Sequence, residues 1–483
     1  ASDVYKRQQN NDGIYFLGES STDVTGSQYL VQFGGKKILL ECGLYQSKSN
    51  SYLDSYKINS KKFGFKPSEI DYLFVAHPHV DHCGLIPRLV AQGFNGKIIT
   101  TPNTAAVMKS LLFNCAFIVA DEARILSKRY SRNYSPIYSE DDVSKTLQLI
   151  KPYSEYGVVF QLDDVVSFQW IPNSHCVGAA QLQLILSDGL KTKKILYTSD
   201  LGALNTKNHY VRNTEIPAMF NDVAIMESTY GSREKVNKKT RDFDVEHLRV
   251  AVNTVLERKG TLLLPCFSFS RTQELLTVLY LIFGCDDSFK ADVVVDSKLS
   301  CEISDLYETI LKGEDLELWM KVRNWKNVVF LSEKEESKMC QNDTTPKIVL
   351  SSSGFCTNGR IVNYLQKFLP DPNSMVVFSG YVGDNPSYLS YRIKNYKDYK
   401  KLTINKMPVV NRADCISLST FSSHANRDDL IKFGSSLNTN KLILVHGSEE
   451  SKKSLSESLR KEISKNDKTF RVLCSNKGMK ISL

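Results

Sequence analysis

Short apolar runs separated by polar breaks set the rhythm of the first half of the chain. Tyr29–Phe33 and Lys37–Cys42 read as strands on either side of Gly34-Gly35, and Asp71–Ala76 is a further apolar strand. A polar loop follows it, then a helix-like stretch from Leu85 to Gln92. Over residues 104–129, Val107, Leu111, Leu112, Cys115 and Ile118 recur at helical spacing and predict one long amphipathic helix. Strands are predicted next at Val165–Ile171, Gln181–Leu186, Lys194–Ser199 and Asp222–Met226. From about residue 232 the rhythm changes. Thr261–Pro265 precedes helical Arg271–Leu281, Asp292–Val295 precedes Cys301–Leu311, and Ile348–Ser351 precedes Arg360–Phe368. Such alternation predicts a parallel sheet covered by helices, a separate α/β domain. Past residue 405, Cys415–Leu418 and Lys441–Val445 resume short buried-strand character. Residues 1–11 lack periodicity and an initiator Met; they read as an assembly scar and are set aside from the fold.

Composition narrows the class. With 483 residues and 42% hydrophobic positions, the chain can bury two to four cores, which excludes general disorder. No window approaches 18 consecutive apolar residues, and no signal pattern opens the chain, so neither a membrane span nor secretion is expected. The 11 cysteines include no C-x-x-C pair, which argues against a disulfide framework and points to a cytoplasmic, reducing setting. Cys42, Cys83, Cys176 and Cys356 lie beside motifs without metal spacing and read as small buried apolar residues. A net charge of +9 is a mild pointer to a polyanionic partner.

The 8 histidines are more informative. His77-Pro78-His79-Val80-Asp81-His82 follows the strand Asp71–Ala76 and sets four metal-competent side chains within six residues. Imidazole nitrogen and carboxylate oxygen together suit a first-row metal such as zinc. Asp81 is either a ligand or an orienter of its neighbour His82. His175 lies between two strand patterns, while Asp200, Glu227 and His446 end predicted strands, where α/β sheets place their sites. His209 and His247 read as ordinary surface residues.

In this order, His77–His82, His175, Asp200 and His446 resemble the dinuclear zinc motifs of the metallo-β-lactamase fold. Glu227 in Glu227-Ser228-Thr229-Tyr230-Gly231, His424 in Phe421-Ser422-Ser423-His424-Ala425-Asn426, and His446 resemble the additional motifs of its β-CASP nuclease branch. Arg271-Thr272-Gln273-Glu274-Leu275 and Ser353-Gly354-Phe355-Cys356-Thr357-Asn358-Gly359-Arg360 match as well, and the resemblance runs from about residue 12 to the end. It implies an α/β fold: a metallo-β-lactamase αββα sandwich over 12–231 and 406–483, with a parallel-sheet β-CASP domain inserted at 232–405. It implies two Zn2+, one held by His77, His79 and His175, the other by Asp81, His82 and His446, with Asp200 bridging. Asp81, Asp200, Glu227 and His424 would be catalytic, Glu227 and His424 acting together to protonate the departing 3′-oxygen.

The expected activity is zinc-dependent hydrolysis of RNA, leaving 5′-phosphate and 3′-hydroxyl ends, by internal or 5′-end attack. RNA is expected rather than DNA because DNA-processing β-CASP enzymes usually lack the histidine at 446. A small-ester hydrolase of the same fold is the blander alternative, and a non-catalytic RNA-binding scaffold is another, although scaffolds typically lose ligands. Expected substrate contacts are Arg271, Ser353, Gly354 and Ser423. Arg271 reads equally as a phosphate clamp or an interdomain salt bridge, and the loop of Ser353 and Gly354 equally as a phosphate cradle or a tight turn. Lys128–Arg132 and Tyr391–Lys401 combine basic and aromatic residues and are weaker candidates. The expected partner is single-stranded RNA, without a membrane; oligomeric state stays open between monomer and homodimer. Three residues depart from the family pattern. Glu41 stands where relatives usually carry Asp, expected to shift the site without abolishing it, and Ser423 and Asn426 replace the usual Ala and Asp around His424, with loss of a supporting carboxylate.

Overall fold

The computed structural model describes residues 12–47, 51–233, 240–383, 386–465 and 469–483, so the reading of residues 1–11 lies outside the described residues. Two seven-stranded sheets form the first unit. One runs in the order Lys480–Ser482, Gly13–Phe16, Tyr29–Phe33, Lys36–Leu40, Tyr72–Val75, Lys97–Thr100, Ile150–Pro152. The other runs Arg471–Cys474, Thr439–Val445, Asn221–Glu227, Thr192–Tyr197, Ala180–Ser187, Val166–Pro172, Phe160–Gln161. Phe33 pairs with Lys36 across Gly34-Gly35, both at positive φ, the conformation a two-residue hairpin turn requires.

Side chains alternate faces along each strand, and that alternation builds the layers. Ile38, Leu40 and Phe74 point into the core between the sheets, where they meet Phe168, Trp170 and Ile443. Leu39, Leu73 and Val75 point outward to a second core under the helices. Helices Arg427–Ser436 and Glu449–Lys465 cover the opposite outer face through Leu430, Phe433, Leu455 and Leu459. The expected αββα sandwich is the result.

The predicted long helix runs Pro102–Tyr130, started by Thr101, whose side chain accepts from the Thr104 N–H. By length and hydropathy alone this helix could cross a membrane. Its apolar stripe instead packs on the first sheet through Met108, Leu112, Cys115 and Val119. It contains no run of 18 consecutive apolar residues, because its apolar positions are interleaved with polar ones.

The inserted sheet has six parallel strands in the order Val328–Leu331, Asp292–Asp296, Lys347–Ser351, Thr261–Pro265, Met375–Phe378, Asp414–Ser417. Leu262 and Leu264 face one helical layer and Leu263 the other, so both faces are buried. Asp414–Ser417 belongs to this sheet, pairing with Met375–Phe378, and so lies past the expected boundary at 405. A short buried strand carries no local mark of the sheet it joins. The two units also share a core: Val107, Leu111, Cys176 and Val177 pack with Tyr307 and Trp319 of the insert.

Candidate metal centre and active site

The strand Tyr72–Val75 ends at buried Ala76, and the chain then leaves the sheet edge through His77 and His79. The expected polar loop is a helical turn, Val80–Cys83, with His79 at its N-cap. The backbone of residues 41–44 clamps that turn. Cys42 N–H donates to His82 O at 2.8 Å, Leu44 N–H to Val80 O at 2.8 Å, and Ser27 N–H to Asp81 O at 2.9 Å. Such close docking requires glycine at 43, since a Cβ there would stand 1.6 Å from the Asp81 carbonyl oxygen. Gly43→Ala is therefore expected to destabilise the fold by more than about 3 kcal/mol and to lower bound metal. Thermal melting and metal analysis check this; a wild-type melting curve with full metal content would remove the role assigned to Gly43.

The remaining ligands come from the second sheet. Thr192–Tyr197, Asn221–Glu227 and Thr439–Val445 are parallel, so Asp200, Glu227 and His446 emerge at one common edge. His175 joins them from the loop after Val166–Pro172. Asp200 is the centre of the cluster. Its Oδ1 lies 3.3 Å from His82 Nε2 and 3.2 Å from His446 Nδ1. Its Oδ2 lies 3.8 Å from His77 Nε2 and 3.7 Å from His175 Nε2. Two sets of donor atoms thus converge, His77, His79 and His175 in one and Asp81, His82, Asp200 and His446 in the other. Asp81 Oδ2 reaches both His446 Nε2 at 3.4 Å and His82 Nε2 at 3.6 Å, which places it inside the second set.

The donors fit a metal on physical grounds. Nε2 of His77, Nε2 of His82 and Oδ1 of Asp200 are buried and make no hydrogen bond with the described residues. Polar atoms left so would cost free energy unless an ion engages them. Burial pushes His77 and His175 well below the usual imidazole range and His79 down to about 4, so all three offer neutral nitrogen. Burial opposes the charge of Asp200, yet His446 and His82 hold it well below the usual carboxylate range.

Glu41 was expected to support the ligand loops, whereas Ser199, Asn173 and Thr229 escaped the sequence reading. Ser199 Oγ bonds His77 Nδ1 at 3.0 Å and donates to Glu41 Oε1 at 3.2 Å. Glu41, fully buried and at positive φ, also accepts from Ala76 N–H at 3.2 Å and approaches His82 Nδ1 at 3.7 Å. One carboxylate therefore orients a histidine of each set, which is how the longer Glu41 side chain is accommodated. Asn173 ties two ligand loops: its Oδ1 accepts from His175 N–H and Gly202 N–H, and its Nδ2 donates to Asp200 O at 2.7 Å. Its place two residues before His175 was the available signal. Thr229 Oγ1 meets His446 Nδ1 at 3.1 Å.

Beside this cluster, His424 Nδ1 lies 3.0 Å from Glu227 Oε1, and its Nε2 lies 3.9 Å from Asp200 Oδ2. Glu227 is fixed by N–H groups of Leu201 at 2.7 Å and Thr229 at 3.0 Å. Burial opposes a charge on His424, but Glu227 lifts its pKa to about 10, which favours the protonated acid at neutral pH.

Arg271 and Ser423 are brought together, Nη2 donating to Oγ at 3.2 Å. The interdomain contact falls elsewhere: Glu274 pairs with Arg241 inside the insert and accepts from the His209 N–H at 2.8 Å across the boundary. His209 is accordingly half-buried between the units rather than an ordinary surface residue, a packing that no local pattern announces. Ser353 closes its own turn, donating from Oγ to Asn358 O at 3.3 Å and accepting from Thr357 N–H at 3.3 Å. Asn426 caps the helix Arg427–Ser436, accepting from Asp429 N–H at 3.0 Å, a role asparagine fills as well as aspartate. Lys128–Arg132 lies at the far end of a 29-residue helix whose start bonds the Gly178 carbonyl near His175. That length is about 43 Å, which removes the segment from the metal cluster.

Three family models match the chain in order: the metallo-beta-lactamase superfamily at residues 21–146, the Beta-Casp domain at 272–386, and the Zn-dependent metallo-hydrolase RNA specificity domain at 409–470. The chain belongs to the β-CASP family of RNA-processing nucleases. This β-CASP chain is 29% identical to ribonuclease TTHA0252 of Thermus thermophilus, over 89% of its own length and 92% of the relative's. It is 26% identical to the transcription termination factor FttA of Methanocaldococcus jannaschii, over 91% of this chain and 67% of that one. Endoribonuclease YSH1 of Candida glabrata is 22% identical, with 91% and 55% covered. Among solved structures, a protein of unknown function from Enterococcus faecalis shares the fold at a TM-score of 0.52, with 14% identity over 98% of this chain and 99% of that one.

Proposed function

We propose that this β-CASP enzyme is a two-zinc ribonuclease that cleaves single-stranded RNA internally by hydrolysis, leaving 5′-phosphate and 3′-hydroxyl ends. One observation carries the reading: Asp200 turns one oxygen to each histidine set, with the Glu227–His424 pair beside it. His77, His79, His175 and Asp200 would hold one ion; Asp81, His82, His446 and Asp200 would hold the other. Zinc bound there supplies an activated water and Lewis acidity toward the phosphate oxygens. The chain's own contribution is proton transfer and placement. His424, its ring fixed by Glu227, gives a proton to the departing 3′-oxygen from Nε2, and Arg271, at the start of the helix Arg271–Phe283, donates to Ser423 of the His424 loop, where the pair would position the phosphate. The RNA specificity domain and the ribonuclease relatives support RNA as substrate. The family model's zinc-dependent description supports the metal. All eleven cysteines are free thiols, which suits a cytoplasmic setting.

Circular and 5′-labelled linear RNA test this reading. Opening of the circle is expected, stopped by a chelator and restored by Zn2+. Decay of linear RNA from its 5′ end with intact circles would replace internal cleavage by exonuclease action. Because the attacking water is independent of the ribose, 2′-O-methyl at the scissile position should leave cleavage in place. Complete resistance with binding retained would point to transesterification instead.

A further inference from the structure

The loop after the strand Thr261–Pro265 carries two phenylalanines with opposite fates. Phe269 is buried edge-on to His79 at 5.7 Å, whereas Phe267 keeps 49% of its surface exposed. Phe267 is held rather than adrift. Its carbonyl accepts from Thr272 N–H at 3.2 Å and Oγ1 at 2.8 Å, which pins the loop to the helix Arg271–Phe283. Its ring lies against Gly354, where a Cβ would approach within 3.2 Å.

From Phe267 the aromatic contacts continue. Phe355 stands edge-to-face with it at 5.5 Å, and Tyr381, 41% exposed, meets Phe355 at 6.1 Å. The Arg233 guanidinium lies 5.3 Å from the Tyr381 ring and 3.4 Å from that of Tyr230. Tyr230 in turn contacts His424 at 5.5 Å. The series therefore runs from Phe267 through Phe355 and Tyr381 to the active site at His424, while Phe269 of the same loop meets His79. It thus connects exposed rings of the inserted domain to the active site through Arg233 and Tyr230.

We propose that Phe267, Phe355 and Tyr381, with Arg233, form a stacking track on which unpaired RNA bases rest beside the metal site. The inference depends on the ribonuclease reading above and adds how the strand is held. Every base has a π-face, so rings along a groove bind single strands with little sequence preference, and an adjacent arginine adds charge for the backbone. Rings already fixed by Gly354 and Thr272 lose little freedom on binding. Ordered this way, Gly354 acts as the seat of Phe267 rather than as a phosphate cradle.

The test compares the zinc-loaded enzyme on a single-stranded RNA and on the same strand with abasic residues flanking the scissile bond. Wild type should prefer the intact strand, and Phe267→Ala or Tyr381→Ala should reduce that preference on the order of tenfold each, through KM more than kcat. Phe267→Trp should restore it, since tryptophan offers a larger face. An unchanged preference in both alanine variants would overturn the track, as would equal losses on intact and abasic strands, which mark a purely structural role. Wild type that hydrolyses bis(4-nitrophenyl) phosphate but neither RNA strand would instead refute the ribonuclease reading, and the track with it.

Discussion

Asp200→Ala is expected to lose both metal ions and RNA cleavage on the order of 10^4-fold or more, while the fold persists. Four buried imidazoles face this carboxylate at 3.2 to 3.8 Å, two from each donor set. No other side chain in the cluster divides its oxygens in this way. The backbone at Asp200 is held independently by Asn173 Nδ2 at 2.7 Å, so truncation should leave the loop in place. Metal analysis, circular dichroism and RNA cleavage measured on one preparation separate the two effects. Asp81→Ala is the informative contrast. Among the described residues the Asp81 carboxylate pairs with His82 and His446 of the second set, so its loss should remove the second ion preferentially and still abolish activity. Two ions per chain and full activity in Asp200→Ala would remove the bridging role assigned to Asp200.

His424→Ala should lower RNA cleavage about 10^2- to 10^4-fold and leave metal content unchanged, the loss usual for a general acid. The imidazole is paired to Glu227 at 3.0 Å and, although it can group with His175 and Asp200, it belongs to neither of the two sets proposed to hold the ions. Its role is visible through the leaving group. A nucleotide ester of 4-nitrophenol departs without protonation, so the variant should cleave it within about tenfold of wild type. Loss of the same size on both substrates would assign His424 to metal or substrate placement instead. Glu227→Gln should follow in the same direction, because the amide no longer favours the imidazolium and its single oxygen can accept from only one of the Leu201 and Thr229 N–H groups.

Much of this site was legible from residue order. His77, His79, Asp81 and His82 are adjacent in the chain, and metal chemistry restricts what such a cluster can do. Asp200, Glu227 and His446 were readable because each ends an apolar strand, and parallel strands deliver their ends to one edge. Glu41 was visible only as a departure from a family pattern, its contacts to Ala76, Ser199 and His82 being separated by 35 to 158 residues. Asn173 and Thr229 stayed hidden for the same reason. The elements that predicted well, such as Thr261–Pro265 and the long helix, carry strong periodicity; Asp414–Ser417 was assigned to the wrong sheet because a strand's partner is chosen by packing at a distance.

The sequence by itself determined the candidate metal-ligating residues and the strand–helix alternation of the inserted domain, since these depend on residue type and on short, regular spacing. Only the tertiary structure decided how Asp200 divides its two oxygens, that Glu41 steadies both histidine sets, that His209 sits in the interdomain contact with Glu274, and that Tyr381 is linked through Arg233 and Tyr230 to His424. These are contacts between residues far apart in the chain. Their geometry is set by how two sheets and an inserted domain pack, and packing leaves no periodic trace in either partner alone.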